Sequence, residues 1–294
     1  MTKHITWLAS YPKSGNTWIR AFLTALQKND SDPLDINKLG ATAISSDRRT
    51  MEHVLGFDTG CLSRDHCARL RPIVYRWLNA QFKNTVFVKA HDACIKLDNG
   101  DCLMAPDVTD KAVYIIRNPL DIVISNAQFS GKTRDAIIAR MSNPDQYLAR
   151  QTNQRQLVQV PQKLGTWSDH VLSWTQNPHF TTHVARYEDL LRTPLKSFSE
   201  ICTFLALPYD QSQIEQAIED TSFATLQSQE DAKGFRERPH TSTRFFRNGK
   251  IGEWQEALSP SQINTVLADH LYVMQKFGYA DRSARPCLSD TIPT

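Results

Sequence analysis

The chain has 294 residues, a formal net charge of +3 and 40% hydrophobic residues. That length buries a large core, as one α/β domain or two smaller ones, and the near-neutral charge shows no basic half of the kind nucleic acid demands. No apolar run reaches the ~18 residues of a membrane span, and Met1 to Thr6 lack the long apolar segment of a secretory leader.

Ile5 to Ala9 is a short apolar run that predicts a buried strand. Ser10 to Asn16 is dense in turn formers, punctuated by Pro12 and Gly15. From Thr17 the apolar positions Trp18, Ala21, Phe22 and Ala25 recur at helical spacing, with a helix end near Gln27. Strand, tight loop and helix together aim backbone N–H groups and the positive end of a helix at one spot, which makes an anion cradle. Lys13 adds a charge there, and Ser14 and Thr17 add hydroxyls. ATP, a sulfate donor and simple phosphate all remain open as the anion. The pattern G-x-x-x-x-G-K-[ST] is absent from this loop. Ser130-Gly131-Lys132-Thr133 imitates its end, but Asn126 stands where the first glycine is required and the segment follows a helix, so it reads as a loop.

Lys28 to Gly60 reads as loops with short helices, including the turn-rich Asn29–Pro33. Ser63 is an N-cap signal for a helix through Leu70, Val74, Trp77 and Leu78, with Pro72 as a kink or a second start. Thr85 to His91 is the second strand, Asp98 to Asp101 a hairpin turn, and Lys111 to Ile116 a third strand followed by a helix opening at Pro119. Helical stretches are expected at Ala136–Met141 and Tyr147–Val158, then from Trp167 through Trp174. His179 to Tyr187 is a fourth strand, followed by helices at Leu195–Leu205, Gln211–Glu219 and Ser222–Gln227. A basic, turn-rich segment from Lys233 to Lys250 precedes a last helix from Ser259 to Phe277. Strands alternating with helices imply an α/β fold with a central, mostly parallel sheet. Residues 1–280 are expected to form one domain, with 281–294 a poorly ordered tail. The six cysteines form no C-x-x-C pair, and no His or Cys pair has ligand spacing, so reduced thiols in a cytoplasmic protein and no metal are expected.

Three further motifs carry chemistry. His91 closes an apolar strand, where ligands of open parallel sheets bind, and Lys89, two residues earlier, points to the same side. A base beside a cation suits proton abstraction from an alcohol. Arg117 also ends a strand, and Ser125 lies in the helix that follows, so both could reach a second phosphate. In Phe245-Phe246-Arg247-Asn248-Gly249-Lys250-Ile251-Gly252-Glu253-Trp254, two glycines bracket a basic, aromatic loop able to bind another anion and to cover a base. A single short basic loop in a near-neutral chain is weak support for nucleic-acid binding.

Together these elements resemble the cytosolic-type sulfotransferase family, whose donor is 3′-phosphoadenosine 5′-phosphosulfate (PAPS). Tyr11-Pro12-Lys13-Ser14-Gly15-Asn16-Thr17-Trp18 is similar to the family's 5′-phosphosulfate loop, and Arg117 through Ser125 to its 3′-phosphate motif. Arg247 through Trp254 resembles its R-K-G-x-x-G-D-W loop, and Lys89-Ala90-His91 its K-x-H element. Tyr187-Glu188-Asp189 and Thr221-Ser222-Phe223 match shorter segments near the adenine. The resemblance implies a P-loop-NTPase-like domain that moves a sulfuryl group to a small-molecule, sugar or lipid acceptor, at a hydroxyl ahead of an amine, and leaves adenosine 3′,5′-bisphosphate (PAP). It implies His91 as general base, Lys13 at the leaving 5′-phosphate and Lys89 at the sulfuryl oxygens. Ser125 would bind the 3′-phosphate and restrain Lys13; Arg117, Arg247 and the Gly249 backbone would hold that phosphate. Trp18 and Phe223 would sandwich the adenine, with Phe246 in the same pocket; no metal is implied. Asn16, Asn248 and the Asp92-Ala93 pair depart from animal members, which carry Thr, Lys and Leu-Pro there. The rival readings are a P-loop-like nucleotide kinase or phosphotransferase, which needs Mg²⁺ ligands not seen in the sequence, and a non-catalytic nucleotide-binding protein. A homo-oligomer is left open.

Overall fold

The computed structural model describes residues 2–28, 34–39, 42–149 and 158–288. Strand β1 (Ile5–Ser10) is buried along its whole length and leads through a tight loop into α1 (Asn16–Leu26). Then come β2 (Thr42–Ile44), α2 (Arg48–Leu55), α3 (Arg64–Gln81), β3 (Val86–Ala90), β4 (Thr109–Ile116), α4 (Pro119–Ser130) and α5 (Arg134–Met141). Two short strands, β5 (Tyr147–Leu148) and β6 (Gln162–Lys163), pair antiparallel before α6 (Trp167–Thr175) and β7 (Thr181–Arg186). The chain ends in helices α7 (Tyr187–Arg192), α8 (Pro194–Phe204), α9 (Gln211–Asp220), α10 (Phe223–Lys233), α11 (Trp254–Ala257) and α12 (Pro260–Lys276).

The central sheet has the strand order β2-β3-β1-β4-β7, and β3 runs parallel to both β1 and β2, with Ile5 opposite Val86 and Ala9 opposite Ala90. This is the P-loop-like α/β architecture expected, a mostly parallel sheet flanked by helices. Three adjacent strands each run into one sequence motif: β1 into the Lys13 loop, β3 into His91 and β4 into Arg117. Ser63 caps α3 as its sequence signals, accepting from His66 N, and Ser259 forms a capping box with Gln262 at the start of α12. Pro72 sits inside a continuous α3. Gly131 is the left-handed C-cap of α4 and Thr133 the N-cap of α5, so Gly131-Lys132-Thr133 joins two helices.

The residues cluster into two compact units, each made of three chain segments: Met1–Tyr11, Thr42–Tyr114 and Pro144–Val184 in the first, Pro12–Ala41, Ile115–Asn143 and Ala185–Thr294 in the second. In the first unit Trp7 packs edge-on against Tyr75 at 5.0 Å and donates its indole N–H to Thr109 Oγ1. The second has a cluster of Ala21, Leu34, Ile36, Leu39, Leu226, Phe235 and Phe246, with Trp18 and Phe223 against it.

Some expectations need correction. Thr42–Ile44 is a strand rather than loop; its three residues are too short to show alternation, and pairing with β3 makes it the sheet edge. Tyr147–Leu148 is extended rather than helical, held by β6, and residues 150–157 lie outside the described residues, as do 29–33. The helix from Phe223 continues past Gln227 to Lys233. Over 281–288 the expected loose tail is a turn in which Asp281 N–H bonds Arg285 O and Cys287 N–H bonds Tyr279 O; 289–294 lie outside the described residues. Among the described residues no helix is long and apolar enough to cross a membrane.

Candidate active site

The anion cradle belongs to the second unit. Lys13 and Gly15 both have left-handed backbone, φ +72° and +103°, which turns the chain sharply from β1 into α1. A Cβ at Gly15 would lie 2.7 Å from Tyr187 Cδ2, so glycine is required there for space as well as for conformation. The Gly15 carbonyl takes the N–H groups of Trp18 and Ile19, and α1 opens with no side-chain cap, leaving its positive end for an external anion. The Lys13 ammonium lies 4.0 Å from the Phe129 ring centre and 4.3 Å from that of Phe245.

Arg117 ties the cradle to the other two donor-side segments. It is buried, donates Nη1–H to the Lys13 carbonyl at 3.0 Å and Nη2–H to the Lys250 carbonyl at 3.4 Å, and stacks 4.3 Å over the Tyr187 ring. Its Nε and the buried Ser14 Oγ have no hydrogen-bond partner among the described residues. Buried donors of this kind call for an acceptor, and phosphate oxygens beside Lys13 would satisfy both. The residues present therefore fit a phosphorylated nucleotide.

Two buried carboxylates to which the sequence assigned no role of their own pin this region. Asp121, in the first turn of α4, accepts Gly252 N–H at 2.8 Å and Trp254 N–H at 3.2 Å. Glu188 accepts Asn118 N–H and Tyr279 Oη–H, both at 2.9 Å. Burial pushes both carboxyls above their ordinary range, against the pull of Arg117 and the donated N–H bonds. A third, Glu230, accepts the N–H groups of Phe245 and Phe246. Glu253 pairs with Arg247 and also accepts from Asn248 Nδ2, so a carboxylate already sits on the loop's cation.

The remaining donor-side residues divide. Asn16 and Thr17 are buried in the first turn of α1, and Ser125 is half-buried on α4. A Cβ at Gly249 (φ +58°) would lie 2.6 Å from Phe223 Cδ2, so that ring lies against the loop backbone. Phe246 is a core residue, Ser222 caps α10 by accepting Thr225 N–H, and Thr221 gives its hydroxyl to the Ala217 carbonyl at 2.6 Å. Trp18 meets Tyr187 and Phe198 edge-on, at 6.1 and 5.3 Å.

The first unit holds Lys89 and His91. Lys89 is buried, and its carbonyl accepts Ser45 N–H at 3.0 Å. His91 Nδ1 lies 2.9 Å from the Ser10 carbonyl and 3.3 Å from Ser10 Oγ. A carbonyl only accepts, so Nδ1 carries the proton and the lone pair of the neutral ring is on Nε2. Asp92, which follows, forms a bidentate ion pair with Arg71 at 2.7 and 2.6 Å, both side chains being almost wholly buried. Burial opposes the Arg71 charge, yet the adjacent Asp92 carboxylate keeps the guanidinium above its ordinary value. Arg71 Nε also donates to Tyr75 Oη, whose pKa burial pushes up to about 12. The departure at position 92 therefore brings its own partner from α3.

The sulfotransferase domain family matches residues 3–278. The chain belongs to this family. Its members are sulfuryl-transferring enzymes with PAPS as donor, so the chain is a sulfotransferase. Among curated relatives, cytosolic sulfotransferase 1 of Arabidopsis thaliana is 23% identical over 269 residues, covering 88% of this chain and 75% of the relative. Among solved structures, mouse sulfotransferase SULT7A1 complexed with PAP superposes with a TM-score of 0.57 at 18% identity, covering 92% of this chain and 85% of that one. Retinol dehydratase in complex with androsterone and inactive cofactor PAP gives a TM-score of 0.54 at 16% identity, covering 92% and 80%. At these identities the structures establish the sulfotransferase's fold.

Proposed function

We propose that this sulfotransferase, with residues 1–280 as one catalytic domain, transfers a sulfuryl group from PAPS to a hydroxyl of a small-molecule, sugar or lipid acceptor. The observation that carries the reading is the cradle itself: Ser14 Oγ, on the loop that leads into α1, and Arg117 Nε, just after β4 and bonded through its Nη1 to the Lys13 carbonyl, are buried donors with no partner among the described residues. PAPS, when bound, supplies the sulfuryl group on a phosphosulfate anhydride. Lys13 and the first turn of α1 hold the 5′-phosphate end and stabilise the charge that develops there. Ser14, Gly15, Asn16 and Thr17 complete that end. Arg117, Ser125, Arg247 and the Gly249 backbone hold the 3′-phosphate, with Asn248 contributing an amide rather than a charge. Trp18, Tyr187 and Phe223 enclose the base, and Thr221, Ser222 and Phe246 shape the backbone around it.

His91 acts as general base: its tautomer presents the Nε2 lone pair to the acceptor hydroxyl, and Lys89 offsets charge on the sulfuryl oxygens. The transfer needs alignment and electrostatic support more than covalent help from the protein. The androsterone in the retinol dehydratase structure favours small-molecule acceptors here too, and the cytosolic relatives favour a cytoplasmic location.

Titration calorimetry with PAP and with ATP tests the reading. PAP is expected to bind without added Mg²⁺ while ATP gives no heat; Mg-dependent ATP binding with none of PAP would favour the phosphotransferase reading and sink this one. Turnover of labelled PAPS against phenols, sterols, sugars and lipids then separates a catalyst from a nucleotide-binding module and identifies the acceptor class.

A further inference from the structure

Residues 91–94, directly after β3, are tied down at every position. His91 O accepts from His170 Nε2 at 3.0 Å, Asp92 O from Trp174 Nε1 at 2.9 Å, Ala93 N–H bonds Lys163 O at 2.8 Å, and Cys94 N–H bonds Ser173 Oγ at 2.9 Å. Three of these four partners lie on α6. One of them, His170, is wholly buried and uses both ring nitrogens. Because Nε2 donates to a carbonyl, Nδ1 is the acceptor, and Tyr114 Oη–H donates to it at 2.8 Å. Tyr114 Oη in turn accepts the Tyr11 backbone N–H, and the Tyr11 ring meets the His170 ring edge-on at 5.3 Å.

His170 therefore touches two chain segments at once. One is the backbone of His91. The other is the end of β1, where the Ser10 carbonyl receives His91 Nδ1–H. Burial lowers its pKa to about 4, with the bond to His91 working the other way, so it stays neutral with a fixed tautomer. All the bonds run in one direction: Tyr11 N–H to Tyr114 Oη, Tyr114 Oη–H to His170, and His170 to the His91 carbonyl. Such a chain is mutually polarised and rigid.

We infer that His170, with Tyr114, is a positioning residue that locks the end of β1 to the end of β3 and so holds His91 in the tautomer with its lone pair on Nε2. The inference rests on the reading of His91 as general base. Its role is orientation, in the way outer partners fix the ring of a catalytic or metal-bound histidine.

The test compares Tyr114→Phe/His170→Phe, which removes both polar partners and leaves no buried orphan between them, with His170→Gln, whose amide can still donate to the His91 carbonyl. The double variant is expected to lower kcat about tenfold with PAP affinity unchanged, and the Gln variant to recover most of that loss. In ¹⁵N spectra the His91 ring should change from one tautomer to a mixture in the double variant and not in the Gln variant. Unchanged kcat and tautomer in the double variant would overturn the inference, as would an equal loss in both variants accompanied by lost PAP binding. If the double variant does not fold, Tyr114→Phe alone decides the matter: a tautomer shift with reduced kcat supports the bridge, and no change in either refutes it. His91→Ala is run alongside. If it retains activity, the base reading falls and the bridge with it; if it is inactive while the bridge variants behave as wild type, only the bridge falls.

Discussion

The donor clamp and the His91 segment draw on different sets of side chains to hold a backbone in place. In the clamp, buried carboxylates accept main-chain N–H groups: Asp121 holds Gly252 and Trp254, Glu188 holds Asn118, and Glu230 holds Phe245 and Phe246. Around His91, neutral and cationic side chains donate to the backbone or to Asp92: His170, Trp174 and Arg71. The contrast suits the chemistry proposed for each. In the region proposed to hold a polyanion, carboxylates are spent on the scaffold, and Arg117 and the donated N–H bonds work against the burial of Asp121 and Glu188. The general base proposed at His91 would need a neutral imidazole, and the nearby charges of Arg71 and Asp92 are paired with each other.

The comparison can be broken at either side, and the largest effect is expected at His91. His91→Ala should cut turnover by about 10²–10⁴ while leaving PAP binding intact, measured by steady-state kinetics and calorimetry on the same preparation. Parallel loss of both would mean that the two regions are not separable. Asp92→Asn leaves the Arg71 guanidinium buried without its counter-charge and should cost about 3–5 kcal/mol in chemical denaturation. Arg71→Met/Asp92→Leu should recover most of that, because the pair is balanced internally; a double variant as unstable as the single one would contradict that account.

On the donor side, Arg117→Ala removes bonds to two loop carbonyls and a cation from the proposed phosphate site. PAP affinity should fall about 10–100-fold, whereas folding stability should change less than in Asp92→Asn. The smallest effect concerns pH. His170 is held neutral, its pKa lowered from 6.5 to about 4, so the unfolded chain takes up its proton first as pH falls. Its contribution to stability is present above about pH 6.5 and lost as pH falls toward 4. Melting temperatures of the wild type and of His170→Gln should therefore converge across that window on acidification. A constant gap would place the titration elsewhere.

The strand, loop and helix around Lys13 were legible in the sequence because they are local. An apolar strand, a turn-rich loop with Lys13 and Gly15 and a helical period lie within about twenty consecutive positions, and strand-end residues such as His91 and Arg117 follow from apolar runs. What joins the pieces was not legible. Asp121 meets Gly252 and Trp254 across 131 and 133 positions, and His170 reaches His91 across 79. No periodicity encodes such pairs. The three-residue β2 and two-residue β5 were missed for a related reason: their extended state comes from a distant partner strand rather than from their own composition. The motif likeness at Phe246 and Thr221 likewise did not show that the first packs in the core and that the hydroxyl of the second bonds a helix carbonyl.

The interleaving of the two units has a consequence for how such an enzyme can be diversified. The chain passes from one unit to the other at 11/12, 41/42, 114/115, 143/144 and 184/185. A single genetic crossover with a relative therefore cannot exchange the unit bearing His91 while keeping the one bearing Lys13. A chimera that swaps one unit cleanly must transplant three separate segments together. New acceptor preferences should thus arise by point changes and loop replacement within a segment more readily than by shuffling halves.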